Sequence, residues 1–366
     1  MKSFAASTFE RMIMISTISR RLLLLAVAVT PIACMAPAAL AFDLQFTLQD
    51  NSNGFTAAER VLVQEAVDRA EAMWESVITG YQNGASIASV PITVIPTTSG
   101  LAAASFSGTT QMGGFTYSTA GFVNINVNEI ENFADWQGVG ANGKNYLDEL
   151  IAHEVGHVLG IGTLWTTNGL YSNGTYQYTG VHGVAAYQAE FTPPSNFVPV
   201  ENNGGPGTPN AHWDQMMRSS GEAGDPNGPG GPWVLSPLTG VVDNFGRDRA
   251  FELMTGAIDP DYYEPYLSRT TVESMRDLGY TVAAAGDFNA DGVVNAADGN
   301  LILANLGATG LQIDSMIYGD FNGDRAITTA DYGAWARATG VPEPGALVLA
   351  GVAVAVAAAA SRRRLG

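Results

Sequence analysis

His153, Glu154 and His157, in the stretch LIAHEVGHVLG over residues 150–160, are the residues whose types and spacing specify chemistry most directly. On a helix, positions four apart share a face, so both imidazoles can reach one metal ion. A zinc ion held by neutral nitrogens, with one position left for water, lowers the pKa of that water to about 7, and an adjacent carboxylate can take the proton. The pattern therefore points to His153 and His157 as metal ligands and Glu154 as the general base of a hydrolysis. A helix over 145–159 is predicted: Asn145 as N-cap, Asp148 and Glu149 in the first turn, Leu147, Leu150, Ile151, Val155, Val158 and Leu159 on its buried faces, and Gly160 as its stop. The competing reading is a buried helix whose histidines only make hydrogen bonds.

Such a zinc site needs a third protein ligand, and the chain has only four histidines. His182 and His212 are the two that remain. In the compact pattern HExxHxxGxxH the third ligand would fall at position 163, which is Thr163, although Gly160 fits the turn position. From the residues alone, His182 and His212 both stay open.

The run HEVGHVLGIGTLW, then Asn210-Ala211-His212-Trp213-Asp214 after a long insertion, then Glu252-Leu253-Met254-Thr255 and Leu267-Ser268-Arg269, resembles the leishmanolysin branch of the metzincin zinc peptidases. The resemblance covers roughly residues 42–282. It implies His153, His157 and His212 as ligands of one catalytic zinc, Glu154 as general base, and Met254 as the Met-turn residue beneath the metal. Met216 and Met217 are the alternatives to Met254, and ordinary core packing is what a methionine most often does. The chain departs from the family in having no cysteines for disulfides.

The elements that must position these residues are readable in part. Residues 121–128 alternate apolar and polar, so Val123, Ile125 and Val127 are expected to face a core. Residues 57–79 carry helical periodicity through Ala58, Val61, Val63, Ala66, Ala70, Met73, Trp74 and Val77, predicting a long helix packed on the sheet. Residues 201–237 are dense in glycine and proline and read as long loops that carry His212. The expected fold class is α+β: a metzincin-like catalytic domain over 42–282, with a twisted mixed sheet and long helices. A sheet edge could hold an extended polypeptide substrate by strand addition.

Two later segments repeat each other, GDFNADG from Gly286 and GDFNGD from Gly319. Each opens a twelve-residue loop with oxygen ligands at the positions a calcium ion requires. The first offers Asp287, Asn289, Asp291, the Val293 carbonyl, Asn295 and Asp298. The second offers Asp320, Asn322, Asp324, the Ala326 carbonyl, Thr328 and Asp331. Arg325 stands where glycine is usual, which predicts a loop that turns less easily or binds more weakly. Short apolar helices are expected around 301–306 and 332–335. The duplicated pattern resembles a type I dockerin over about 286–340, a small all-α module. It implies up to two structural calcium ions and a cohesin-type partner, with Ala296-Ala297 and Thr329-Ala330 at the contact positions. A calcium-stabilised spacer is the plainer alternative.

The termini read as targeting segments. Residues 1–41 have Arg20-Arg21, an apolar run over 22–29 and Ala39-Leu40-Ala41 as a cleavage site, the pattern of a secretory signal, with Met12 or Met14 as alternative starts. Residues 341–366, with Val341-Pro342-Glu343-Pro344, an apolar run and Arg362-Arg363-Arg364, resemble a PEP-CTERM sorting tail. That family implies exosortase processing in a Gram-negative cell envelope. A plain C-terminal anchor is the alternative, although the run is short for a span of about 20 residues. The single cysteine, Cys34, lies within the signal, so the mature chain is expected to lack disulfides. Residues 42–344 hold 34 acids against 10 bases, which excludes nucleic acid as a natural partner. No separate propeptide is expected before the zinc helix. Together these features predict a secreted zinc metalloendopeptidase. A calcium-dependent scaffold with a degenerate protease domain and a zinc hydrolase of a non-peptide bond are the other readings.

Overall fold

The computed structural model describes residues 42–50, 54–136, 144–191, 195–202, 204–214, 241–256, 258 and 264–341. The signal and the sorting tail beyond Val341, together with Met216 and Met217, lie outside the described residues. The chain is a mixed α+β protein whose principal sheet has the order β1-β3-β5-β4. Strands β1 (Leu44–Leu48), β3 (Val90–Thr97) and β5 (Phe115–Asn126) run parallel, and β4 (Ala102–Met112) is antiparallel and forms one edge. In β3, Val90, Ile92 and Val94 alternate inward, each contributing roughly 1.5–3 kcal/mol by burial.

Helix α1 (Ala57–Val77) begins at a capping box, with Thr56 accepting from the Glu59 amide and Glu59 accepting from the Thr56 amide. Its buried stripe is Val63, Ala66, Val67, Ala70, Met73, Trp74 and Val77. Ala58 and Val61, expected inside, are exposed. Val67 takes their place in the stripe. The helix also stops before Thr79, which belongs to β2 (Ile78–Tyr81) and pairs antiparallel with β8 (Tyr280–Val282). That pairing joins the chain just after α1 to residues 280–282.

The alternating strand ends one residue pair earlier than expected. Val123 and Ile125 are fully buried, but Asn126 caps helix α2 (Val127–Ala134), so Val127 is helical and only half-buried. Helix α3 (Leu147–Leu159) carries the HExxH residues and is buried along its whole length. Its N-cap is Tyr146, not Asn145, yet the Asn145 side chain still accepts from the Leu147 amide at 2.9 Å. The two first-turn acids do more than face a dipole: Asp148 pairs with Arg69 of α1 at 3.0 Å and Glu149 with Arg325 at 3.1 Å. The Trp74 indole donates to the Ala152 carbonyl at 2.9 Å, tying α1 to the middle of α3.

Beyond α3 come β6 (Gln177–Tyr178), α4 (Val181–Phe191), β7 (Val198–Pro199) and α5 (Arg269–Asp277). The last helices, α6 (Ala296–Ala304) and α7 (Thr329–Thr339), follow the two acidic loops. They enclose a small core of Ile302, Ile327 and Trp335. Ile313 belongs instead to the main core, and Met316 packs against it. Residues 286–340 are therefore packed onto the preceding fold and not merely strung from it. No helix among the described residues is long and apolar enough to cross a membrane.

Candidate metal centre

Gly160 ends α3 in the left-handed region at φ 119°, as its position suggested, with its N–H directed to the carbonyls of Gly156 and His157. The chain then turns back, so the Ile161 carbonyl meets Nδ1 of His157 at 2.9 Å. On the preceding turn, Nδ1 of His153 meets the Leu253 carbonyl at 2.6 Å. Nδ1 of His212 meets the Thr208 carbonyl at 2.9 Å. A carbonyl only accepts, so each Nδ1 must carry the proton. Each Nε2 is then left as a bare lone pair.

The three lone-pair nitrogens point at one another. Nε2 of His153 lies 3.1 Å from that of His157 and 3.2 Å from that of His212, and His157 and His212 are 2.9 Å apart. Three acceptors cannot hydrogen-bond among themselves, and the group they form could hold a metal ion. Tetrahedral zinc with nitrogen bonds of 2.0–2.1 Å would separate its ligands by roughly 3.3 Å, close to what is seen. Burial pushes His153 down to about 3, with His157 adding to the shift. Burial also lowers His157, and burial with the two neighbouring imidazoles lowers His212 strongly. All three are thus neutral near pH 7, the form that ligates metal. The donor set fits zinc.

His182 is not part of this group. It is exposed at the start of α4, where its backbone N–H donates to Asp277 at 2.9 Å. Thr163, at the position of the compact motif's third ligand, donates its hydroxyl to the His157 carbonyl at 2.6 Å and closes the end of the helix.

His212 arrives by backbone contacts. The Glu201 amide donates to the His212 carbonyl, and the Trp213 amide donates to the Met254 carbonyl, both at 2.9 Å. Trp213 stacks on Trp165 with centroids 4.6 Å apart. Gly162, at φ 72°, lies so close to the Ala211 backbone that a Cβ there would collide with it. Sequence reasoning assigned Gly162 no role; its only local signal was a second glycine two residues after Gly160.

Met254 is fully buried directly under α3. A Cβ on Gly156 would lie 2.6 Å from its sulfur and 3.1 Å from the Trp74 ring. The turn is held by Glu252, a buried carboxylate accepting from the Met254 amide at 2.7 Å and from the hydroxyls of Ser268 and Thr271 at 2.7 and 2.5 Å. Thr271 also accepts from the Trp213 indole at 2.8 Å, so one network supports both Met254 and the segment bearing His212. Gly156→Ala provides a check on this packing. In an ordinary helix the change stabilises by about 0.5–1 kcal/mol, whereas here overpacking against Met254 is expected to reverse the sign and cost roughly 1–3 kcal/mol. A thermal melt reads the difference, and an unchanged or raised Tm would contradict the close approach.

Glu154 faces a cavity of about 360 Å³ shared with His153, His157, His212 and Ala102–Ala104 of β4. It is 5% exposed, its Oε2 has no hydrogen-bond partner among the described residues, and burial pushes its carboxyl up to about 8. A free carboxylate oxygen beside three converging imidazoles is placed to exchange a proton with anything held there.

The acidic loops form a second group. Asp287 and Asp320 each accept from backbone amides across their own loops, and Asp298 and Asp331 close the loops through capping boxes with Asn295 and Thr328. The carboxylates of Asp320, Asp324 and Asp331 come within 4.8 Å of one another. Among the described residues, those of Asp287, Asp291 and Asp298 do not form such a group. Arg325 does not prevent the turn: it takes φ 62°, with its N–H donating to Asp320 at 2.9 Å. No protein-family model matches this sequence, and no curated protein is significantly similar to it.

Proposed function

We propose that this chain is a secreted or cell-envelope zinc metalloendopeptidase of metzincin type, resembling the leishmanolysin branch. The observation that carries the reading is the convergence of three Nε2 lone pairs at 2.9–3.2 Å, each fixed by an Nδ1–H donated to a carbonyl. His153, His157 and His212 would hold one zinc ion, which when bound supplies an acidified water and polarises a carbonyl. Glu154 accepts the proton of the attacking water and returns one to the leaving amine. Met254 and the Glu252 network keep the two ligand-bearing segments in register beneath the site.

A polypeptide substrate is favoured by the edge position of β4. Its first residues, Ala102–Ala104, line the cavity with small side chains, leaving room for an extended chain to pair with the edge. The loops over 286–340 are read as a dockerin-like calcium module for up to two structural ions. Ala296, Ala297, Thr329 and Ala330 are exposed, so that face is open to a cohesin-type domain. Export and exosortase handling rest on the sequences of residues 1–41 and 341–366.

The test is elemental analysis of the purified protein together with a casein cleavage assay. About one zinc per chain with chelator-sensitive cleavage is the expected result. Zinc without cleavage would favour a non-peptide substrate, and no zinc would favour a scaffold.

A further inference from the structure

The side chain at the sixth position of the second acidic loop leaves its own module. Arg325 is 6% exposed and reaches across to α3, where its guanidinium donates to Glu149 at 3.1 Å. It also donates to the Pro265 carbonyl at 2.9 Å and to the Gln312 carbonyl at 2.5 Å. Glu149 is itself buried and stands one helical turn before His153 on the same face. The backbone N–H of Arg325 is held by Asp320, one of the three converging carboxylates. One residue thus joins an acidic loop to the helix that bears two of the three converging histidines.

We propose that Arg325 is a positioning residue for the zinc helix, through which occupancy of the second loop by calcium sets the affinity of the histidine site for zinc. The inference rests on the proposed reading of both metal sites. Three gathered carboxylates repel one another until a cation neutralises them. Their separation would move Asp320, and with it the Arg325 backbone. The guanidinium cannot follow the loop and also keep its contacts to Glu149 and Pro265. Gly323 packs against the Arg247 guanidinium, and Phe321 meets Phe245 edge-on at 5.7 Å, so the same loop is pressed on the fold at two further points. A cavity of about 290 Å³, lined by Arg247, Tyr266, Phe321 and Arg325 among others, runs beside this junction. The loop therefore has space to relax without the helix unfolding.

Glycine is the ordinary residue at this loop position and suits φ 62° without strain, so Arg325→Gly should preserve calcium binding while removing the link. The experiment uses the full chain. Zinc affinity is measured by competition with a chromogenic chelator at saturating and at zero calcium, and calcium uptake is followed by calorimetry. In the unaltered chain, calcium is expected to tighten zinc about tenfold, and zinc to tighten calcium by the same factor, as linkage requires. In Arg325→Gly, calcium should still bind and the zinc affinity should no longer respond to it. Glu149→Gln, which retains the side-chain volume but weakens the pair, should reduce the response as well, with circular dichroism confirming that both variants are folded.

Calcium and zinc both bound by the unaltered chain with independent affinities would overturn the inference and leave the metal sites intact. A response that persists in a folded Arg325→Gly would overturn the role of Arg325. Failure of the chain to take up calcium would remove the calcium reading, and the inference with it.

Discussion

Glu154→Gln is expected to keep about one zinc per chain while slowing peptide cleavage by about a thousandfold or more. The glutamine has nearly the same shape, so the packing of α3 should survive. What it loses is the capacity to accept a proton. Glu154 is buried, faces the cavity, and leaves Oε2 without a partner among the described residues. Among the described residues no hydrogen bond to that oxygen explains its position, and burial alone raises the carboxyl to about 8. The measurement is kcat/KM on casein or a quenched peptide, with zinc content on the same sample. A variant that cleaves within a few-fold of the unaltered chain would remove Glu154 from the mechanism.

The second large effect is expected at His212. His212→Ala should weaken zinc binding by at least about a hundredfold, because it deletes one of three nitrogen donors, where loss of a supporting partner alone costs ten- to a hundredfold. His182→Ala should change the affinity less than about twofold, since His182 is exposed on α4 and outside the converging group. Chelator competition on the three proteins decides it. Unchanged affinity in His212→Ala would mean that the convergence at 2.9 and 3.2 Å does not bind the metal. Loss in His182→Ala would place the third ligand elsewhere.

These two expectations differ in how much of their basis is local. His153, Glu154 and His157 lie within five residues, and a helix brings the two histidines to one face whatever surrounds it, with Glu154 next to the first of them. The helix itself was legible from its apolar residues and Gly160. Its N-cap was misplaced by one residue because Asn145 still bonds the Leu147 amide from outside the cap position. The strand ending at Asn126 was overrun because Val127 fits either an alternating pattern or the first turn of a helix. Only the Asn126 side chain, which accepts from the Asn128 amide, decides between them. In α1 most of the periodic stripe is buried, but Ala58 and Val61 are exposed, because periodicity says which residues share a face and not what covers it.

Spacing within single helices and loops was enough to pick out His153, Glu154 and His157, the two acidic loops, and the mixed α+β character. Each of these depends on neighbours a few residues away, where backbone geometry alone sets distances. His212 and Met254 were reachable only through a family resemblance, because 55 residues separate His212 from His157 and no periodicity spans that gap. Tertiary structure alone brought Gly162 against Ala211, buried Glu252 beneath the Met254 turn, set β4 at the edge beside the histidines, and joined Arg325 to Glu149 across 176 residues. A long-range contact of this kind leaves no local mark, since its partner's identity is set by packing and by the need of a buried charge for an opposite one.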